Sequence, residues 1–120
     1  MEQEIANPIV HLELRTSDVP QACAFYRRLF GWRAETIHWG AAAYVALELG
    51  EGIEGGVVEY GRGAGGWIPY VEVPDVGEAA ARAQLLGAVV TLEPREGPAG
   101  WRSVLSTPAG GEIALWQPKP

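Results

Sequence analysis

The sequence predicts an α+β fold of two tandem βαβββ modules, and three observations carry that expectation. Residues 10–32, VHLELRTSDVPQACAFYRRLFGW, read as an alternating strand, a polar break, an amphipathic helix and a Phe-Gly-Trp exit into another strand. A fainter copy, IPYVEVPDVGEAAARAQLLGAVV, begins at Ile68. The two copies align without a gap, since one 57-residue offset relates His11 to Ile68, Asp18 to Asp75 and Ala22 to Ala79. An internal repeat outranks any local signal, because it fixes the architecture as two like units.

The first strand covers residues 8–15. Val10, Leu12 and Leu14 alternate with His11, Glu13 and Arg15, the period of a strand with one face on a core. Thr16, Ser17 and Asp18 supply oxygens for a helix cap, and Pro20 suits the first helical turn. Ala22, Phe25, Tyr26 and Leu29 recur at helical spacing, with Arg27 and Arg28 outward and Gly31 as the stop. Cys23 lies inside this helix with no motif around it and reads as a small packing residue. Strands over 32–39, 43–49 and 54–60 follow, joined by glycine-containing turns. GRGAGG at 61–66 is a flexible connection, since it lacks the Gly-Lys-Ser/Thr ending of a phosphate loop. The second module repeats the order: a strand over 67–73, an Ala-rich helix over 76–86 stopped by Gly87, and strands over 88–93, 101–106 and 112–117. Gly/Pro-rich turns at 97–100 and 108–111 separate them. The expected organisation is a single domain over 1–120, with module one at 8–60, the linker at 61–66 and module two at 67–118.

Composition narrows the function classes. Hydrophobic residues at 48% and charged residues at 20% are ordinary for a soluble globular protein. Nine basic against fifteen acidic residues give a net charge of −6, which argues against nucleic acid or an anionic membrane as partner. A single cysteine excludes an internal disulfide and fits a reducing compartment. The amino terminus MEQEIANP lacks the pattern of a signal peptide, and no apolar run reaches the ~18–20 residues of a membrane span. The expected location is the cytoplasm.

Several motifs resemble the vicinal oxygen chelate superfamily, the glyoxalase, bleomycin-resistance and ring-cleaving dioxygenase group. They are Asp18 with Ala22, Phe25-Tyr26, Leu29 and Phe30-Gly31-Trp32 in module one. In module two they are Trp67-Ile68-Pro69-Tyr70, Pro74-Asp75-Val76 and TPAGGEIALWQ at 107–117, an ending similar to the small glyoxalase-like branch. The resemblance spans about residues 8–118 and implies that each module curls its sheet into a half-barrel, the two enclosing one cleft. It also implies metal ligands on the first and last strands of each module in metal-dependent members. His11 matches the first position; Ile68, Ala114 and the stretch at Gly55-Gly56 occupy the others. One imidazole does not offset the lost hydration of a divalent ion. No cofactor is therefore expected, and a divalent metal is disfavoured.

If His11 faces the cleft, strand alternation sends Glu13 and Arg15 there too, with Ile68, Tyr70 and Glu72, then Glu112, Ala114 and Trp116. Tyr44, Ala46 and Glu48 join them, with Trp39, Trp101 and Arg102 near the rim. The candidate catalytic pair is His11 with Glu13. The candidate ligand contacts are Trp39, Tyr44, Glu48, Ile68, Tyr70, Arg102, Ala114 and Trp116, an aromatic pocket with few polar groups. Bland roles compete: His11 bonded to Glu13 or a neighbouring strand, Glu13 and Glu48 as half-exposed strand charges, Tyr70 and Trp116 as packing. Trp67 and Trp32 are expected to face the helix and the core. The leading expectation is a metal-independent protein binding a small aromatic or apolar molecule between its modules, as a homodimer. The alternatives are a metal-free enzyme with His11 as base and Glu13 or Arg102 steering the substrate, a lyase, isomerase or dioxygenase with a metal on His11 and Glu112, and a structural or regulatory dimerisation module.

Overall fold

The structure, a computed structural model, describes residues 7–61 and 65–120, apart from the side chains at 39 and 42. Half of the linker expected at 61–66, residues 62–64, and most of the amino-terminal tail thus lie outside the described residues. Ten elements follow in the order β1 (Ile9–Thr16), α1 (Val19–Phe30), β2 (Ala34–Trp39), β3 (Ala42–Glu48), β4 (Glu54–Glu59), β5 (Gly66–Glu72), α2 (Val76–Leu85), β6 (Val89–Glu96), β7 (Gly100–Ser106) and β8 (Glu112–Pro118). The fold is α+β and twice βαβββ. By its contacts the described chain divides into two compact units, Val10–Ile68 and residues 7–9 with 69–120. No helix among the described residues is long and apolar enough to cross a membrane.

Both modules use one topology. In module one the strand order is β1-β4-β3-β2, and in module two it is β5-β8-β7-β6. The first and last strands of each module pair in parallel, β1 with β4 and β5 with β8, and the remaining pairs are antiparallel. A parallel pair of this kind needs a crossover element, and α1 and α2 supply it.

The two helices begin alike. Asp18 accepts a hydrogen bond from the Gln21 N–H at 3.0 Å, and Asp75 accepts one from the Glu78 N–H at 3.0 Å. Each satisfies one of the otherwise unpaired donors of the first turn. α1 ends at Gly31, whose φ of 77° lies in the left-handed region and whose N–H returns to the Arg27 carbonyl at 2.8 Å.

Behind each sheet sits its helix. In module one Leu14, Leu47 and Val57 form the buried centre, covered by Val19, Ala22, Cys23 and Tyr26 of α1 and by Trp32. In module two Val73, Val76, Ala80, Leu105 and Leu115 are buried together, with Ala79 and Ala83 packed against them. The apolar stripe of α1 departs from expectation, since Phe25 and Leu29 are 55% and 57% exposed and no residue of the helix is fully buried. Ala22 and Tyr26 of the expected stripe do pack on the core, joined by Val19 and Cys23, while the Phe25 and Phe30 rings lie against Tyr26. Burial raises the Cys23 thiol above its ordinary pKa, which suits packing and opposes thiolate chemistry.

Strand ends also moved. β2 starts at Ala34, two residues later than expected, and β6 extends to Glu96. Register shifts flank Leu92 in the β6–β7 ladder, and the second of them, between Leu92 and Arg95, absorbs Pro94, which has no N–H to donate.

Candidate functional site

The polar row of the site in module one lies on the sheet face opposite the Leu14–Leu47–Val57 core, whereas Trp32, Leu47 and Leu49, which also line the site, belong to that core's side. Pairing sets the polar face out in transverse rows. Glu48 of β3 lies opposite Glu54 of β4, and Glu54 is the partner of His11 on β1. Paired residues share a face, so these three side chains form one row across three strands. The next row is Ala46, Gly56 and Glu13. Gly56 has a specific consequence: a Cβ there would stand 3.2 Å from His11 Nε2. The missing side chain is what admits the imidazole against β4.

A pocket of about 830 Å³ opens at this end of the module. Its wall includes His11, Glu48 and Glu54 of the row, Tyr44 and Ile37 from the β2–β3 hairpin, and the α1 exit at Phe30-Gly31-Trp32. Ala46 and Leu47 of β3, Leu49, Gly50, Glu51 and Ile53 between β3 and β4, and Gly55 of β4 complete it. The volume falls in the ~300–1,000 Å³ range of small-molecule sites. Trp32 serves two purposes. It helps cover the module-one core, and its ring stacks on Tyr26 with centroids 5.4 Å apart and meets Phe30 at 4.8 Å. Phe30, 56% exposed, and Tyr44, 38% exposed, present aromatic surface to solvent.

His11 is half-buried, and its pKa is lowered from 6.5 by loss of hydration, with Glu13 and Glu54 pulling part of the way back. The imidazole is therefore neutral near pH 7, with a nitrogen able to accept a proton. Glu13, expected beside it as a catalytic group, has a different setting. It is 5% exposed, and Arg15 Nε approaches its Oε2 at 3.5 Å. The Arg15 guanidinium in turn lies 4.8 Å from the centre of the Tyr60 ring. Glu13 thus belongs to a buried charged pair and is not among the residues lining the pocket.

The other expected contacts separate by module. Of them, the pocket brings together His11, Tyr44 and Glu48. Ile68 is 3% exposed. In module two Tyr70 and Ala114 are 4% and 0% exposed, and Arg102 Nη1 donates to the Tyr70 hydroxyl at 3.2 Å. Trp116 lies 6.2 Å from the Tyr70 ring, and its backbone is paired with Arg102. The side chain of Trp39 falls outside the described residues. Trp67 turns to α1 as its parity requires, its Nε1 donating to the Tyr26 hydroxyl at 3.2 Å, yet it remains 37% exposed.

Sequence reasoning missed Glu54, Glu51 and the pocket roles of Phe30 and Trp32. Glu48 and Glu54 flank the Gly50–Gly52 turn symmetrically, a signal that would have paired them. Among the described residues no group of three or more His, Cys, Asp or Glu side chains is disposed to hold a metal ion. The chemistry of the family's ligand positions agrees, since Gly55, Gly56, Ile68 and Ala114 offer no side-chain donor. The residues present do not fit a metal at those positions.

Comparison with known proteins gives the following. A family model described as a glyoxalase-like domain matches residues 10–116. A hypothetical protein from Bacillus halodurans C-125 superimposes with a TM-score of 0.73 at 16% identity, covering 97% of each chain. Methylmalonyl-CoA epimerase from Mycobacterium tuberculosis gives 0.67 at 16% identity, over 93% of this chain and 88% of that one. The Streptomyces coelicolor methylmalonyl-CoA epimerase in complex with 2-nitronate-propionyl-CoA gives 0.64 at 18% identity, over 93% and 97%. At such identities the likeness is one of fold. No curated protein sequence matches the chain.

Proposed function

The chain belongs to the glyoxalase-like domain family, and from that premise we propose that it binds a small, flat, apolar or aromatic molecule without a metal. One observation carries this reading: an 830 Å³ pocket whose wall combines Phe30, Trp32 and Tyr44 with the half-buried His11. Aromatic faces supply contact area and stacking, worth ~0.5–1.5 kcal/mol per ring beyond area burial. His11, Tyr44 and Glu48 are the expected site residues that this proposal retains. Tyr70, Arg102 and Trp116 stay outside the proposed pocket, as a cluster of module two in which Arg102 bonds to Tyr70 and the Tyr70 and Trp116 rings meet at a tilt. The test is quenching of tryptophan emission by planar aromatic probes. Saturable quenching, weakened at least tenfold in Tyr44→Ala and reduced in amplitude in Trp32→Phe, is the expected result.

A second reading is supported by the His11 environment. A neutral imidazole against a ligand pocket has the protonation state of a general base, and the structural neighbours include epimerases. In that reading His11 removes a proton from a bound carbon acid. Solvent deuterium exchange into a bound ligand, abolished by His11→Gln with binding retained, selects it over binding alone.

A further inference from the structure

We propose that the module-one pocket is selective for organic cations, such as a planar aromatic ammonium or iminium ion. This rests on the reading of that pocket as a ligand site and adds the charge of its ligand.

The pocket is lined by three carboxylates, Glu48, Glu51 and Glu54, and by no lysine or arginine among its described residues. Two of the three are placed by the fold itself. Glu48 and Glu54 are direct cross-strand partners on β3 and β4 and share a face. Like charges in that position repel and weaken a strand pair. The neighbour of Glu54 in the same row is His11, whose neutral imidazole brings no positive charge. Module two treats the corresponding ladder position differently: Ser106 faces Glu112, and Thr91 Oγ1 donates to Glu112 Oε2 at 3.1 Å. A paired carboxylate on an open pocket wall is thus particular to module one.

The aromatic groups complete the selectivity. Tyr44, Trp32 and Phe30 line the same volume, and the negative face of an aromatic ring attracts a cation. A flat cation placed there has both aromatic rings and carboxylates within the lining of one volume. The same wall repels anions. Coenzyme A esters, seen in the epimerase complexes, carry several phosphate charges and are mismatched to it. The chain's net charge of −6 acts in the same direction at longer range.

Three probes of one shape and different charge test this on the full chain: 1-methylquinolinium, naphthalene and 2-naphthoate, titrated against tryptophan emission at low salt. The expected result is binding of 1-methylquinolinium about tenfold tighter than naphthalene, no saturable binding of 2-naphthoate, and a cation preference that shrinks as salt rises. Glu54→Gln and Glu48→Gln each cut the cation-over-neutral ratio severalfold. In the ligand-free protein either change relieves the facing carboxylates and raises the thermal midpoint by about 2–4 °C. Equal affinity for the cation and the neutral probe, or a ratio indifferent to both substitutions, overturns the cation proposal and leaves the binding reading intact. Failure of all three probes to bind overturns both. Preference for 2-naphthoate overturns the cation proposal and turns the search to anionic substrates.

Discussion

The two modules of this chain share topology, capping and register, and differ in what fills one face of the sheet. The row Glu13–Gly56–Ala46 of module one corresponds to Tyr70–Ala114–Val104 of module two, first strand to first strand and last to last. In module two that row is closed, with Tyr70, Ala114 and Val104 exposed by 4%, 0% and 1%. In module one Glu13 and Gly56 are buried too, and the difference is one of side-chain volume: Gly56 and the half-buried Ala46 carry little, and His11 fits beside the glycine. The helices differ in what covers the core: α2 presents Ala79, Ala80 and Ala83, and α1 presents Val19, Ala22, Cys23 and Tyr26. Each leaves large apolar side chains exposed, Leu85 on α2 and Phe25, Leu29 and Phe30 on α1. The lesson is that a duplicated scaffold has kept its backbone pattern while side-chain volume concentrates structure in one copy and an open pocket in the other.

Four substitutions or measurements break or sharpen that contrast. The largest effect is expected at the Glu13–Arg15 pair of module one. Arg15→Leu removes one partner of the buried Glu13 carboxylate and costs about 1–3 kcal/mol in denaturant unfolding. The double change Glu13→Leu with Arg15→Leu recovers most of that loss. Next comes filling. Ala114→Phe overpacks a fully buried position and costs about 1–3 kcal/mol or more. Ala46→Phe enters open space, leaves the urea midpoint close to the parent and reduces probe quenching at least tenfold.

The caps offer a control in which the modules should agree. Asp18→Ala and Asp75→Ala each remove one 3.0 Å bond to a first-turn N–H and should each cost about 1 kcal/mol. A cost confined to one of them would show that the modules do not carry stability equally. The smallest effect is the pH response of His11. Burial holds its pKa in the folded chain below 6.5, against the partial pull of Glu13 and Glu54. The unfolded chain therefore takes up the proton first, so stability falls as pH drops below ~6.5 and through the folded-state value. His11→Gln should flatten that limb of the stability profile and leave the profile above pH 7 unchanged.

Much of the fold was legible because its signals are local or repeated. The strand alternation at 10–15, the caps at Asp18 and Asp75, the glycine stop at Gly31 and the common offset all lie within short windows. What escaped depends on pairing between distant residues. Glu54 meets His11 through the parallel β1–β4 register, and no local period encodes a parallel pairing across 42 intervening positions. Of the helical stripe, Ala22 and Tyr26 pack on the core with Val19 and Cys23, whereas Phe25 and Leu29 share the spacing and stay exposed. Alternation likewise placed Tyr70 and Ala114 on the face it predicts, but says nothing about whether a face is filled. That depends on the volumes opposite, and Val104 with Tyr70 itself closes the space.

The most direct test of the account is chemical-shift mapping on ¹⁵N-labelled protein during titration with 1-methylquinolinium. Saturable shifts confined to Trp32, Tyr44, Glu48, Glu54 and Gly55 are predicted, with the amides of residues 70, 102 and 116 unmoved. Shifts centred on Tyr70, Arg102 and Trp116 would contradict the assignment of ligand binding to module one.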